Sequence, residues 1–273
     1  MTMGSETDDS KYLSFILDRI AVCKAYKPAF GQGQPVSRED FQHLYGADPF
    51  YGWLGLNHPL IYAAHSAAGG ITSLYRQIGL GCEELFRQIL QDCLALTETQ
   101  VRWAYTTVTS DGQARQLSLD ARIQLSEVTS VEKRARVHQW LHQAAAQLNV
   151  APEIANALKG LVFEVRQGYK SKDSKRQNAD IANAATAYAQ GYLPVLLILS
   201  TQIDSDVVER YRRAHWLILQ GQLADSPFTS TYAFSKAILE YDLADFFVRN
   251  ATILQSAIAD VLRVLLQADS HDG

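Results

Sequence analysis

Seven consecutive apolar residues, Leu193-Pro-Val-Leu-Leu-Ile-Leu199, set the strongest limit on the fold. A run of this length suits a strand better than a helix. With no polar face it must be covered on both sides, so it belongs at the centre of a sheet clad with helices. A second run precedes it, in which Leu161, Phe163 and Val165 alternate with Val162, Glu164 and Arg166, the period of two of a strand. Between the two, Ser174-Lys-Arg-Gln177 is a capping box leading into an alanine-rich helix that ends near Tyr188. Strand, helix, strand at this spacing predicts a parallel pair joined by a right-handed crossover.

A hairpin lies upstream. Val101, Trp103 and Tyr105 alternate with Arg102, Ala104 and Thr106. Asp111-Gly112 is the favoured two-residue turn, because both central positions need positive φ. The return strand puts Leu117, Leu119, Ala121 and Ile123 on one face, and Ser118, Asp120, Arg122 and Gln124 on the other. Thr129-Ser-Val-Glu132 is a capping box for a helix that buries Val137, Trp140, Leu141, Ala144 and Leu148. Pro152 opens a short second helix.

Helical spacing recurs over Lys11–Cys23, from Ser37, and over Ile71–Leu94, where a break is expected around Gly79 and Gly81. Residues 45–60, rich in aromatics, Gly and Pro, read as an irregular segment. Asp204 is expected to cap a further helix, 216–219 to add a strand, and 231–267 to be mostly helical. The expected fold is α/β: a mixed central sheet, made of a hairpin plus parallel strands, flanked by helices. One domain is expected across residues 1–273, with a core over about 71–220 and helical extensions over 11–70 and 229–267.

At 47 % apolar residues, such a core can be buried without disulfides or structural metals. Cys23, Cys82 and Cys93 are odd in number and lack CxxC, which points to a reduced, cytoplasmic protein. No apolar run approaches the ~20 residues of a membrane span, and no secretory-type start is visible, so no membrane partner is expected. GxxxxGK and GxSxG do not occur, which removes P-loop and serine-hydrolase readings. Gly79-Leu-Gly81 lacks the third glycine and the preceding strand of a dinucleotide loop, so no nucleotide cofactor is expected. His138 and His142 have the spacing of a zinc pair, but position 139 is Gln and HExxH is absent.

The chemistry concentrates on Asp120 and Glu164, each on the polar face of its strand. If those strands are neighbours, both carboxylates reach one hard cation, and Mg²⁺ favours one or two carboxylates plus water and phosphate oxygens. Otherwise they are exposed strand acids with salt-bridge partners. Strands disfavour Glu, yet Glu164 lies in an apolar run that leads directly into a basic cluster. That cluster is Lys159, Arg166, Lys170, Lys172, Lys175 and Arg176, in a chain of net charge −4. Basic residues at a helix start oppose its dipole, which a bound polyanion would offset; alternatively they form a solvated face. Glu83 or Glu84, on the helix before the hairpin, could lean toward the same cation, or lie on a solvated helix face.

This order of helix, hairpin, strand, helix and strand over roughly residues 71–200 resembles the PD-(D/E)xK nuclease superfamily, and within it type II restriction endonucleases. The first acid of that family falls on Asp120 and the second on Glu164 of Glu164-Val-Arg166. Two departures stand out: Arg166 occupies the family's lysine position, and Leu119, not Pro, precedes Asp120. Residues 166–180 look like the corresponding segment of enzymes that read CCGG-centred sites, with Asp180 at the position of a helix acid that can replace the strand one. Residues 164–183 and 69–90 look like the ApaLI-like restriction endonucleases.

The resemblance implies Mg²⁺-dependent, sequence-specific double-strand cutting of DNA at a short palindrome by a homodimer. It implies Asp120 and Glu164 at the metal, and Glu83 is the helix acid expected from its position to join them. The resemblance further implies Arg166, helped by Lys170 or Lys172, at the scissile phosphate, and Lys170, Lys172, Lys175, Arg176, Gln177 and Asn178 on DNA. The alternatives are a structure- or lesion-specific repair nuclease, and a non-catalytic DNA-binding protein on the same fold.

Overall fold

The computed structural model describes residues 6–108, 113–168 and 183–267. The chain divides into two compact units, Met1–Gly81 with Arg249–Gly273, and Cys82–Val248. Among the described residues no helix is long and apolar enough to cross a membrane.

The second unit holds the sheets. Strands β1 (Trp103–Val108) and β2 (Ala114–Leu119) pair antiparallel as a two-stranded sheet, from Trp103↔Leu119 to Val108↔Ala114. The expected Asp111-Gly112 turn lies outside the described residues. A four-stranded sheet follows, in the order β3 (Ala121–Gln124), β4 (Gly160–Arg166), β5 (Tyr192–Ile198), β6 (Leu217–Leu219). β3 runs antiparallel to β4, and β4, β5 and β6 are parallel. The fold is therefore mixed α/β, and the apolar 193–199 run is central, as its composition requires.

All seven residues of β4 and of β5 are buried. Pro194 cannot donate to a ladder, but β6 begins to pair only one residue later, at Val195↔Leu217.

Helices cover both faces of this sheet. On one face Val162, Leu196 and Ile198 pack with Ala184 and Ala187 of α7 (described over 183–189) and with Val207 and Tyr211 of α8 (Ser205–Arg213). On the other, the Phe163 ring meets Phe86 and Phe234, with ring centroids 5.0 and 5.9 Å apart. Phe86 belongs to α4 (Pro59–Leu94) and Phe234 to α9 (Thr231–Ile238). Trp140 of α5 (Val131–Gln147) extends that layer, stacking on Phe228. α6 (Pro152–Ala157) then leads into β4.

In the first unit, α1 (Glu6–Val22) and α11 (Ala251–Gln267) are in contact. α2 (Arg38–Gly46) is capped by Ser37, and its Phe41 packs with Val36 and Tyr62. Arg249, the last residue of α10 (Leu243–Arg249), pairs with Asp9 at 2.9 Å.

Several local expectations are corrected. α4 is unbroken at Gly79 and Gly81, and it starts at Pro59, twelve residues before Ile71. Gly81 is there for closeness, not for a bend: a Cβ would lie 2.8 Å from the Phe15 carbonyl oxygen. Residues 45–60 are not wholly irregular, because Asp48 caps α3 (Pro49–Trp53), with Pro49 in the first turn. Ser130, not Thr129, caps α5. The expected single return strand is two strands, β2 and β3, that change partner at Asp120.

Candidate active site

Asp120 sits where the chain leaves the hairpin and joins the larger sheet. Its N–H donates to the Phe163 carbonyl at 2.8 Å, while the next alternate N–H, from Arg122, turns back to Val101. The break follows from register. β1 ends its pairing with β2 at Trp103↔Leu119, and β4 takes over from Ala121↔Phe163. One step beyond that pair, Asp120 lies across from Glu164.

The carboxylate of Asp120 is held in place. Its Oδ2 accepts from the Val165 N–H at 2.7 Å. Its carbonyl oxygen accepts from Arg87 Nη1 at 3.0 Å. The side chain keeps 19 % of its exposure.

Glu164 and Arg166 share a face of β4 by the period of two, and that face is not solvated: the residues are 5 % and 9 % exposed. Arg166 Nη2 forms an ion pair with Glu164 Oε1. Arg166 Nη1 lies 3.9 Å from Asp120 Oδ2. Two carboxylates, Asp120 at the β2–β3 junction and Glu164 on β4, therefore converge on one guanidinium. Burial without this compensation would cost several kcal/mol per ion, and the planar fork of arginine suits two oxygen partners at once.

The donor set fits a hard divalent cation. Both ligand candidates are carboxylates, which suit Mg²⁺ and not a soft metal, and they already converge on a position of positive charge. Among the described residues no group of three or more His, Cys, Asp or Glu side chains converges as a metal site. Glu83 is thus not gathered with Asp120 and Glu164. It is half-buried on α4, one turn before Arg87, which places it on the helix face that reaches the Asp120 carbonyl. Burial, and secondarily the charge of Glu83, push the neighbouring Cys82 thiol up to about 12. Glu84 is also half-buried.

The expected DNA-contacting residues Lys170, Lys172, Lys175, Arg176, Gln177 and Asn178, together with Asp180, lie outside the described residues. The first described residue that follows is buried Asn183, whose Oδ1 accepts from Tyr105 Oη of β1 at 2.5 Å. Sequence reasoning missed both this tie and Arg87. The i, i+4 spacing of Glu83 and Arg87 was the one local signal that could have drawn attention to Arg87.

No family model, curated protein or solved structure matches the chain.

Proposed function

We propose that this protein is a Mg²⁺-dependent type II restriction endonuclease with a restriction-endonuclease-like core, acting on double-stranded DNA as a homodimer. The observation that carries the reading is the convergence of Asp120, at the β2–β3 junction, and Glu164, on β4, on one buried guanidinium. Asp120 and Glu164 would hold the metal. When bound, Mg²⁺ supplies charge stabilisation for a phosphodiester and a lowered pKa for water.

The chain's own residues have distinct parts in this reading. A guanidinium is a donor without an acceptor lone pair to offer water, so Arg166 is not the general base. It stabilises charge on a phosphate oxygen. Arg87 holds the Asp120 backbone, and so the direction of its carboxylate. Lys170, Lys172, Lys175 and Arg176 contact phosphates, while Arg176, Gln177 and Asn178 offer base-reading chemistry, Arg to guanine and Gln or Asn to adenine. A two-fold dimer matches a two-fold site.

The test is digestion of a long plasmid by the full chain with Mg²⁺ and with EDTA, followed by sequencing of the ends. Discrete Mg²⁺-dependent fragments sharing one palindrome at their ends support the proposal. Cutting only at lesions, junctions or ends would make it a repair nuclease, and binding without cutting a non-catalytic DNA-binding protein; either result overturns the restriction reading.

A further inference from the structure

α5 carries a second group of metal-ligating side chains, apart from the carboxylates above. His138 and His142 are one helical turn apart, and their Nε2 atoms lie 3.1 Å from each other. The ring centroids are 4.4 Å apart with the planes at 62°, so the rings meet edge-on and are not stacked. His138 is exposed and His142 half-buried, which leaves the pair open to solvent.

The spacing has a chemical meaning. Zinc–imidazole bonds run ~2.0–2.1 Å, so two nitrogens on one ion sit about 2.9 Å apart at a right angle and about 3.3 Å apart at a tetrahedral angle. The observed 3.1 Å lies between those values. As it stands, one Nε2–H donates to the other Nε2. Moving that proton to Nδ1 leaves a lone pair on both Nε2 atoms with no net proton lost, and a rotation of the two rings would then aim both at one ion.

We propose that His138 and His142 form a two-imidazole site for a late first-row divalent cation of the Zn²⁺ or Cu²⁺ type, with water completing the coordination. Imidazole nitrogen selects such ions, whereas carboxylate oxygens select hard ones. This inference is independent of the nuclease reading.

The experiment is calorimetric titration of Zn²⁺ into the EDTA-stripped full chain, repeated for His138→Ala and His142→Ala. Alanine favours the helix, so both variants keep α5. One ion should bind per chain, and each single variant should weaken it by about 100-fold, the low end for a second ligand held intramolecularly. Asp120→Ala should leave Zn²⁺ binding unchanged. A Cu²⁺-loaded sample should show electron-paramagnetic coupling to two nitrogens. No binding to the parent chain, equal affinity in the single variants, or coupling to a single nitrogen would each overturn the site.

Discussion

Replacing Arg166 with methionine keeps much of the side chain's length and removes a buried charge on which two acids converge. Glu164 is 5 % exposed, so water cannot take over the role of the guanidinium. Removing one partner of a buried ion pair costs about 3–5 kcal/mol. An upper bound at pH 7 comes from protonation: holding a carboxyl of ordinary value near 4.3 neutral costs about 3.7 kcal/mol. The expected loss is therefore about 3–4 kcal/mol. For a unit the size of Cys82–Val248 that lowers Tm by roughly 6–15 °C.

The assay is thermal unfolding at pH 7 in chelator. Glu164→Gln in the Arg166→Met background should recover most of the loss, giving a coupling of about 2 kcal/mol or more in the double-mutant cycle. The loss should also shrink as pH falls, because a carboxyl stranded in the folded state takes up a proton more readily there than in the unfolded chain. Mg²⁺ should raise the Tm of Arg166→Met more than that of the parent, since the ion supplies the missing charge. An Arg166→Met protein within ~1 kcal/mol of the parent, uncoupled to Glu164→Gln, would refute the view that these charges depend on one another.

Asp120→Ala and Glu164→Ala should each abolish Mg²⁺-dependent cleavage while metal-free protein still binds DNA; near-parental cutting by either would remove it from the metal site. Substituting Lys170, Lys172, Lys175 and Arg176 singly should lower the salt dependence of DNA affinity by about one unit of slope for each phosphate no longer neutralised, whereas an unchanged slope on replacing all four would mark a solvated face. Hydrogen bonding to Arg249 holds the Asp9 carboxyl below its ordinary value. That stability is present above the unfolded value near 3.8 and is lost as pH falls through the lower folded value, so Arg249→Ala should flatten the acid limb of a Tm–pH curve, and an unchanged limb would exclude the pair as its cause. Burial pushes the Cys82 and Cys93 thiols up to about 12 and about 11; at pH 8 both should resist alkylation until denaturant is added, and rapid labelling of the native protein would contradict that.

Much of the fold was legible because it depends on local periodicity. An unbroken apolar run at 193–199 has no stable home except a covered central strand, and β5 lies between β4 and β6. The alternation in 161–166 placed Glu164 and Arg166 on one face without knowledge of any neighbour. Side-chain caps also read locally, as Ser37 and Asp204 show.

The rest depended on partners distant in the chain. Alternation through Asp120 continues across the junction, with Leu119, Ala121 and Ile123 all buried, so nothing local marks the change of partner from β1 to β4. Period two made the Glu164 side of β4 polar in type, but only packing against the α7 and α8 layer and the hairpin made it buried. That burial turned Arg166 from one member of a basic run into the counter-ion of two carboxylates. Arg87 reaches Asp120 across 33 positions of sequence, and Tyr105 reaches Asn183 across 78. A residue's own sequence neighbourhood determines which face it takes. Which charge that face meets is decided when separate elements pack, because only then is water removed and the value of each charge set by what replaced it.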